Sequence, residues 1–282
     1  MPFIAVIGAG ALGGALAHKL AARNRIDEVR LIDSASGVAQ GKALDILQAS
    51  PIEQFSTRVT AAESIAAAAG AVAVVIADPA SGEGQHAGEA GLALLRQLTR
   101  TIDRTPIVCA GAMHRDLIAR TVSELHVPPT RIVGSAAYAL ESALRALAAV
   151  EADGSGVDVS VRVVGVPPRL AVVAWEEGAI AGEPLTSRLP AHRIAALTAR
   201  IPGLWPLGPY ALASAGAQVA EAIAAGSRRR FSCFVSVESG ALRGAVVALP
   251  VDIWPGGVAS VSEPFLTRQE RTMLENAAKS GA

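Results

Sequence analysis

The sequence predicts an α/β fold: a doubly wound parallel sheet, then a smaller α+β domain. Three observations carry this. Short apolar runs alternate with helical patterns through the first half of the chain. One run, AVAVVIA (71–77), is uninterrupted, as a strand covered on both faces requires. A glycine-rich turn, GAGALG (8–13), falls between the first strand-like run and the first helical pattern. The chain has 282 residues, enough for two domains with a core each.

In chain order, FIAVIG (3–8) reads as a strand, ALGGALAHKLAA (11–22) as a helix and VRLID (29–33) as a second strand. GKALDILQAS (41–50) is helical, with Ala43, Ile46 and Leu47 on one face and Pro51 as its expected stop. STRVT (56–60) follows as a strand, AAESIAAAA (61–69) as a helix and AVAVVIA as a strand. A glycine-rich loop, ADPASGEGQHAGEAG (77–91), precedes a helix running to about Asp103. PIVCA (106–110), the helix DLIARTVSEL (116–125) and RIVG (131–134) complete a Rossmann-type domain, assigned residues 1–135.

Residues 136–282 are assigned to the α+β domain. SALRALAAV (142–150) is helical, VDVSVRVVGV (157–166) alternates like a half-buried strand, and RLAVVAW (169–175) is a further strand. AHRIAALTAR (191–200) and ASAGAQVAEAIAAG (213–226) are helices; RRFSCFVSV (229–237) and RGAVVALPVDI (243–253) are antiparallel strands. In the last helix, TRQERTMLENAAK (267–279), Thr267 and Glu270 form a capping box.

Lys+Arg and Asp+Glu are both 25, so the net charge is zero and the chain carries no electrostatic footprint for nucleic acid. The longest uncharged apolar run, IAAAAGAVAVVIA (65–77), is too short to span a bilayer, and the glycine-rich N-terminus lacks the basic start of a signal peptide. Two cysteines, Cys109 and Cys233, make no disulfide framework, so a cytoplasmic location is expected. No metal site is expected. A mean hydropathy of +0.39 is a hint of surface buried between subunits, although alanine richness alone could produce it.

The turn Gly8-Ala9-Gly10-Ala11-Leu12-Gly13 is a G-x-G-x-x-G in its required strand-to-helix context, with Asp33 closing the second strand. Gly8 permits the tight turn, Gly10 the approach of a pyrophosphate to the helix N-terminus, and Gly13 close helix–strand packing. Asp33 accepts hydrogen bonds from a ribose and repels a 2′-phosphate, so the expected cofactor is NAD.

Residues 7–52, and most specifically DSASGVAQGKALDILQASPI, resemble the N-terminal part of malate dehydrogenases of the lactate/malate dehydrogenase family. The resemblance continues through RIVGS (131–135), GEPLTSRLP (182–190), AGAQVAEAIAAGSRRRFSC (215–233) and LTRQERTMLENAAKS (266–280). It implies an NAD-binding domain, an α+β substrate domain, and subunits that associate through the helix GKALDILQAS. The expected assembly is a homo-oligomer, or a hetero-oligomer with an active relative.

The family's chemistry, reduction of a 2-oxo acid by NADH, implies a histidine proton donor, a mobile-loop arginine, a carboxylate-clamping arginine and an asparagine. In VVGVPPR (163–169), Val166 or Pro167 takes the histidine's place. ADPASGEGQHAGEAG falls where the mobile loop belongs; it has no arginine, and His86 is its one candidate cation. In VCAGAMHRD (108–116), Ala110 replaces the asparagine, and Cys109 has no apparent partner for a nucleophilic role. In LESALR (140–145), Glu141 can match the aspartate that pairs with the histidine if one residue is inserted upstream; Arg145 is then displaced by one position, about 100° around the helix, and reads as a solvent-facing arginine before a salvaged substrate contact. His192 reads as a surface helical residue. The resulting expectation is a pseudoenzyme acting as nucleotide sensor or assembly subunit. Two alternatives stand beside it: an active NAD-dependent oxidoreductase on an altered substrate, with Glu141, Arg145 or His86 as candidates, and a purely structural subunit.

Overall fold

The computed structural model describes residues 1–81 and 84–280. Strands β1 (Phe3–Ile7), β2 (Glu28–Ile32), β3 (Arg58–Ala62), β4 (Ala73–Ile76), β5 (Ile107–Cys109) and β6 (Ile132–Gly134) alternate with helices α1 (Ala11–Ala22), α2 (Ser36–Glu53), α3 (Gly88–Thr101) and α4 (Arg115–Leu125). These six strands are parallel, in the order β3-β2-β1-β4-β5-β6. Apolar residues cover both faces: every residue of β1 and β4 is buried. The winding direction reverses between β1 and β4, so the turns that follow these two strands lie side by side. Open α/β sheets leave their ligand crevice at that point.

The rest of the chain supplies α5 (Ala136–Glu151), β7 (Val159–Ser160), β8 (Val163–Val166), β9 (Leu170–Val173), β10 (Ala179–Ile180), β11 (Glu183–Pro184), α6 (Leu185–Arg188), α7 (Ala191–Arg200) and α8 (Pro209–Ala225). It ends with β12 (Arg229–Ser236), β13 (Val246–Trp254), β14 (Gly257–Val261) and α9 (Arg268–Lys279). The large sheet does not stop at residue 135. β12 pairs antiparallel with β6, Phe234 opposite Gly134, and the sheet continues through β13, β8 and β9. The capping box of α9 is formed, with Thr267 accepting from the Glu270 amide.

Three local expectations are corrected. Pro51 does not stop α2, which starts at Ser36 and runs to Glu53. A proline removes the bond to the carbonyl four residues back, here that of the half-buried Leu47, and only two residues of helix follow it; the helix ends where Gln54 turns left-handed, at φ 57°. AAESIAAAA forms only a single 3₁₀ turn, Ile65–Ala68, because β3 extends to Ala62 and Gly70 takes φ +82° before β4. The run 157–166 is not one strand. It breaks between Ser160 and Val163, so β7 joins a small three-stranded sheet with β10 and β11 while β8 enters the large one.

The packing that places the crevice is close. α1 crosses α8 at Gly216, where a Cβ would lie 2.9 Å from Leu16 Cδ1 and 3.2 Å from Ala110 Cβ. The end of β5 and the middle of α1 are thereby held against α8.

Candidate functional site

The glycine fingerprint is built as the turn from β1 into α1. Gly8 has φ +104°, a backbone conformation open to glycine, and a Cβ there would overlap the backbone of Asp78. A Cβ on Gly13 would overlap the Gly8 carbonyl oxygen, so the first turn of α1 rests directly on the strand end. A Cβ on Gly10 would overlap the carboxylate of Asp78.

Two carboxylates organise this turn. Asp33, at the end of β2, is buried and accepts from three backbone amides: Ala9 at 2.7 Å, Ala35 at 2.8 Å and Ala80 at 2.8 Å. Burial opposes its ionisation, but these amides outweigh burial and hold the carboxyl below the ordinary aspartate range. Asp78, just past β4, accepts from Gly13 N through one oxygen at 2.8 Å and from Leu12 N through the other at 3.2 Å. Its backbone carbonyl accepts from Gly10 N at 2.9 Å. The amides it takes belong to the first turn of α1, where no intrahelical partner exists. Lys42, on α2, donates to the Gly10 carbonyl at 2.6 Å.

Two cavities flank this arrangement. One, of about 240 Å³, lies between the ends of β1 and β2 and is lined by Gly8, Ile32, Asp33, Ser34, Ile65 and His86 among others. The other, of about 440 Å³, is bordered by Gly10, Leu12, Lys42, Asp78, Gln85 and Leu212 among others. Asp33 lines the first cavity and Asp78 the second, and Pro79 borders both.

The loop 77–91 is tied down at its described residues; Gly82 and Glu83 lie outside them. Gln85 Oε1 accepts from Met113 N at 2.9 Å. His86 is half-buried, and burial lowers its pKa despite the nearby carboxylates of Asp33 and Asp78, which favours the neutral imidazole over the cation at pH 7. His114 is fully buried; its Nδ1 accepts from Gly111 N at 3.1 Å. Burial, with His86 second, pushes its pKa down to about 3. Both rings leave a buried Nε2 without a hydrogen-bond partner among the described residues. Ala110 is completely buried beneath α8.

The second half places its candidate residues elsewhere. Val166 ends β8 and pairs with Leu170, and Pro167 sits in the turn between β8 and β9. Glu141 is buried in α5, where it accepts from Arg162 at 3.0 Å and Ser232 at 2.5 Å. Burial raises its pKa, with Arg162 opposing. Arg145 is neither solvent-facing nor in the crevice: its guanidinium donates to the carbonyl oxygens of Val159 at 2.6 Å and Val157 at 3.3 Å, bracing the β7 region. Its one-position displacement along α5 turns it toward β7. His192 is exposed on α7. Cys109 is buried, which pushes its thiol up to about 12, and Cys233 is likewise buried with a raised pKa. Among the described residues, no group of three or more His, Cys, Asp or Glu side chains could hold a metal ion.

Sequence reasoning missed Asp78, Lys42 and His114. For Asp78 a signal was present: a carboxylate one residue beyond an apolar parallel strand stands at the carboxyl edge, where ligands of such sheets bind.

The comparisons agree with this architecture. Residues 3–104 match the lactate/malate dehydrogenase NAD-binding domain model. A malate dehydrogenase of Thermomicrobium roseum is 31% identical, over 98% of this chain and 94% of its own length. One from Roseiflexus sp. is 30% identical, over 99% and 96%. Among solved structures, the malate dehydrogenase of Salinibacter ruber superposes with a TM-score of 0.88 at 24% identity, over 99% of this chain and 94% of its own. The lactate dehydrogenase of Cryptosporidium parvum, solved with lactic acid and NAD, does so with a TM-score of 0.88 at 23% identity, over 99% and 95%. With the glycine turn, the sheet order and full-length similarity in place, the chain belongs to the lactate/malate dehydrogenase family.

Proposed function

We propose that this protein is a family member that keeps a nucleotide site but does not reduce 2-oxo acids, and that it serves as a nucleotide sensor or as a subunit of an assembly. One observation carries the reading: among the described residues, the side chains around the crevice include no proton donor and no cation suited to a 2-oxo acid. The histidine's position holds Val166 or Pro167, the asparagine's holds Ala110, and burial favours the neutral form of the loop's His86. Glu141 and Arg145 are engaged in packing α5. Loss of a general acid typically costs about 10²–10⁴-fold and loss of a preorganised donor about 10²–10³-fold, so one such loss suffices.

The residues present fit NAD in part. The slot beside Gly8 and Asp33 suits the adenosine side, with Asp33 at the ribose position. The pyrophosphate seat does not fit as it stands, because Asp78 holds the amides that would receive it. Hydride chemistry belongs to the cofactor when bound, and no step of it is assigned to these side chains.

Assembly through α2 is part of the proposal. Val38, Leu44 and Ile52 are exposed on this helix, an arrangement that suits a covered face. The rival reading, an active oxidoreductase on another substrate, is favoured by similarity to malate dehydrogenases along the whole chain. Calorimetric titration with NAD and NADH, run beside an oxaloacetate assay, separates them. The expected result is binding without turnover; ordinary dehydrogenase turnover sinks the proposal.

A further inference from the structure

We propose that Asp78 is the specificity-determining residue of the nucleotide site: its carboxylate is a built-in anion that competes with the pyrophosphate of NAD for the N-terminus of α1. The inference rests on the reading of the glycine turn as a dinucleotide site and says what that site admits. The amides of Leu12 and Gly13 open α1 without intrahelical partners, and the helix dipole adds positive potential there. In a G-x-G-x-x-G turn these are the groups that meet a diphosphate. Here Asp78 takes them through its two oxygens, at 3.2 and 2.8 Å. The space that the missing side chain of Gly10 leaves open is filled by the same carboxylate.

The competition has a steric and an electrostatic part. A diphosphate reaches these amides only after the Asp78 side chain has left them. Its negative charges then lie among the carboxylates of Asp78 and Asp33, with Lys42 as the one permanent cation among the described residues lining the cleft. Lys42 itself is bound to the Gly10 carbonyl at 2.6 Å. The site therefore answers to high rather than low dinucleotide concentration. A nucleoside without phosphates uses only the slot beside Asp33 and escapes the competition.

Asp78→Ala removes both the occupant and its charge. Asp78→Asn keeps the shape and one acceptor oxygen while removing the charge, and it serves if the alanine variant does not fold. Calorimetric titration of NAD into wild type and both variants is the test, with thermal melting to establish that each is folded. The expected result is a Kd for NAD lowered by about tenfold to a hundredfold in Asp78→Ala, the range for replacing one charged hydrogen-bonding partner by another, with Asp78→Asn between. Equal or weaker binding by folded Asp78→Ala overturns the proposal while leaving the nucleotide site standing. Absence of NAD binding in all three proteins overturns both.

Discussion

At the scale of single residues, the turn after β1 depends on two acidic side chains of different standing. Asp33 satisfies three buried or half-buried amides, and its folded pKa lies below the unfolded value. A depressed carboxyl pKa gives stability that is complete above the unfolded value, near 4, and is lost as pH falls through the folded value. Asp33→Asn turns an acceptor into a partial donor against those amides. Its expected cost at pH 7 is about 2 kcal/mol by urea denaturation, and the gap between variant and wild type closes as the pH drops below about 4. A gap unchanged down to about pH 3 contradicts this account of Asp33. Its importance was legible in the sequence because the fingerprint fixes a strand–turn–helix geometry and the acid's place after the next strand. The partnership of Asp78 with Gly13 was not, since it joins residues 65 apart and exists only because β1 and β4 are neighbours. Arg145 reads from the sequence as solvent-facing, with a substrate contact as the alternative, and the packing of α5 beside β7 gives it neither role.

At the scale of elements, the contact of α1 with the end of β1 sets how tightly the crevice is built. Gly13 meets the Gly8 carbonyl, a backbone group with nowhere to go, whereas Gly10 meets a side chain that can move. Gly13→Ala is therefore expected to cost about 1–3 kcal/mol of stability, the usual range for overpacking. Gly10→Ala should cost less, and less again in an Asp78→Ala background, because the two positions compete for one space. Equal costs for Gly10→Ala in both backgrounds, by urea denaturation, contradict that coupling. Helices were legible almost to the residue where a turn or cap bounds them, as in α1 and α7. The alanine-rich segment 61–69 misled because helix propensity says nothing about the span available between β3 and β4. The break at Arg162 was hidden for a related reason: alternation continues through 157–166, but the two halves pair with different sheets.

At the scale of the whole molecule, family membership and loss of chemistry are separate statements with separate tests. Similarity runs through nearly the entire chain, while the loss of proton transfer and carbonyl polarisation is our proposal, read from Val166 or Pro167, Ala110 and His86 at the positions the family resemblance assigns to those roles. A fold hosts a reaction only through its site, so membership of the family does not by itself carry the reaction. Association through α2 is expected to give a dimer or larger assembly by light scattering, with Leu44→Glu/Ile52→Glu reducing it to a monomer that still melts cooperatively; a monomeric wild type contradicts that expectation. The central claim is that oxo-acid reduction is absent, and the direct measurement is NADH oxidation with saturating oxaloacetate over rising NADH, so that weak cofactor binding is overcome by concentration. The predicted result is a rate no higher than without protein at every NADH concentration. Saturable oxidation at about 10 s⁻¹, an ordinary enzymatic turnover, would contradict it.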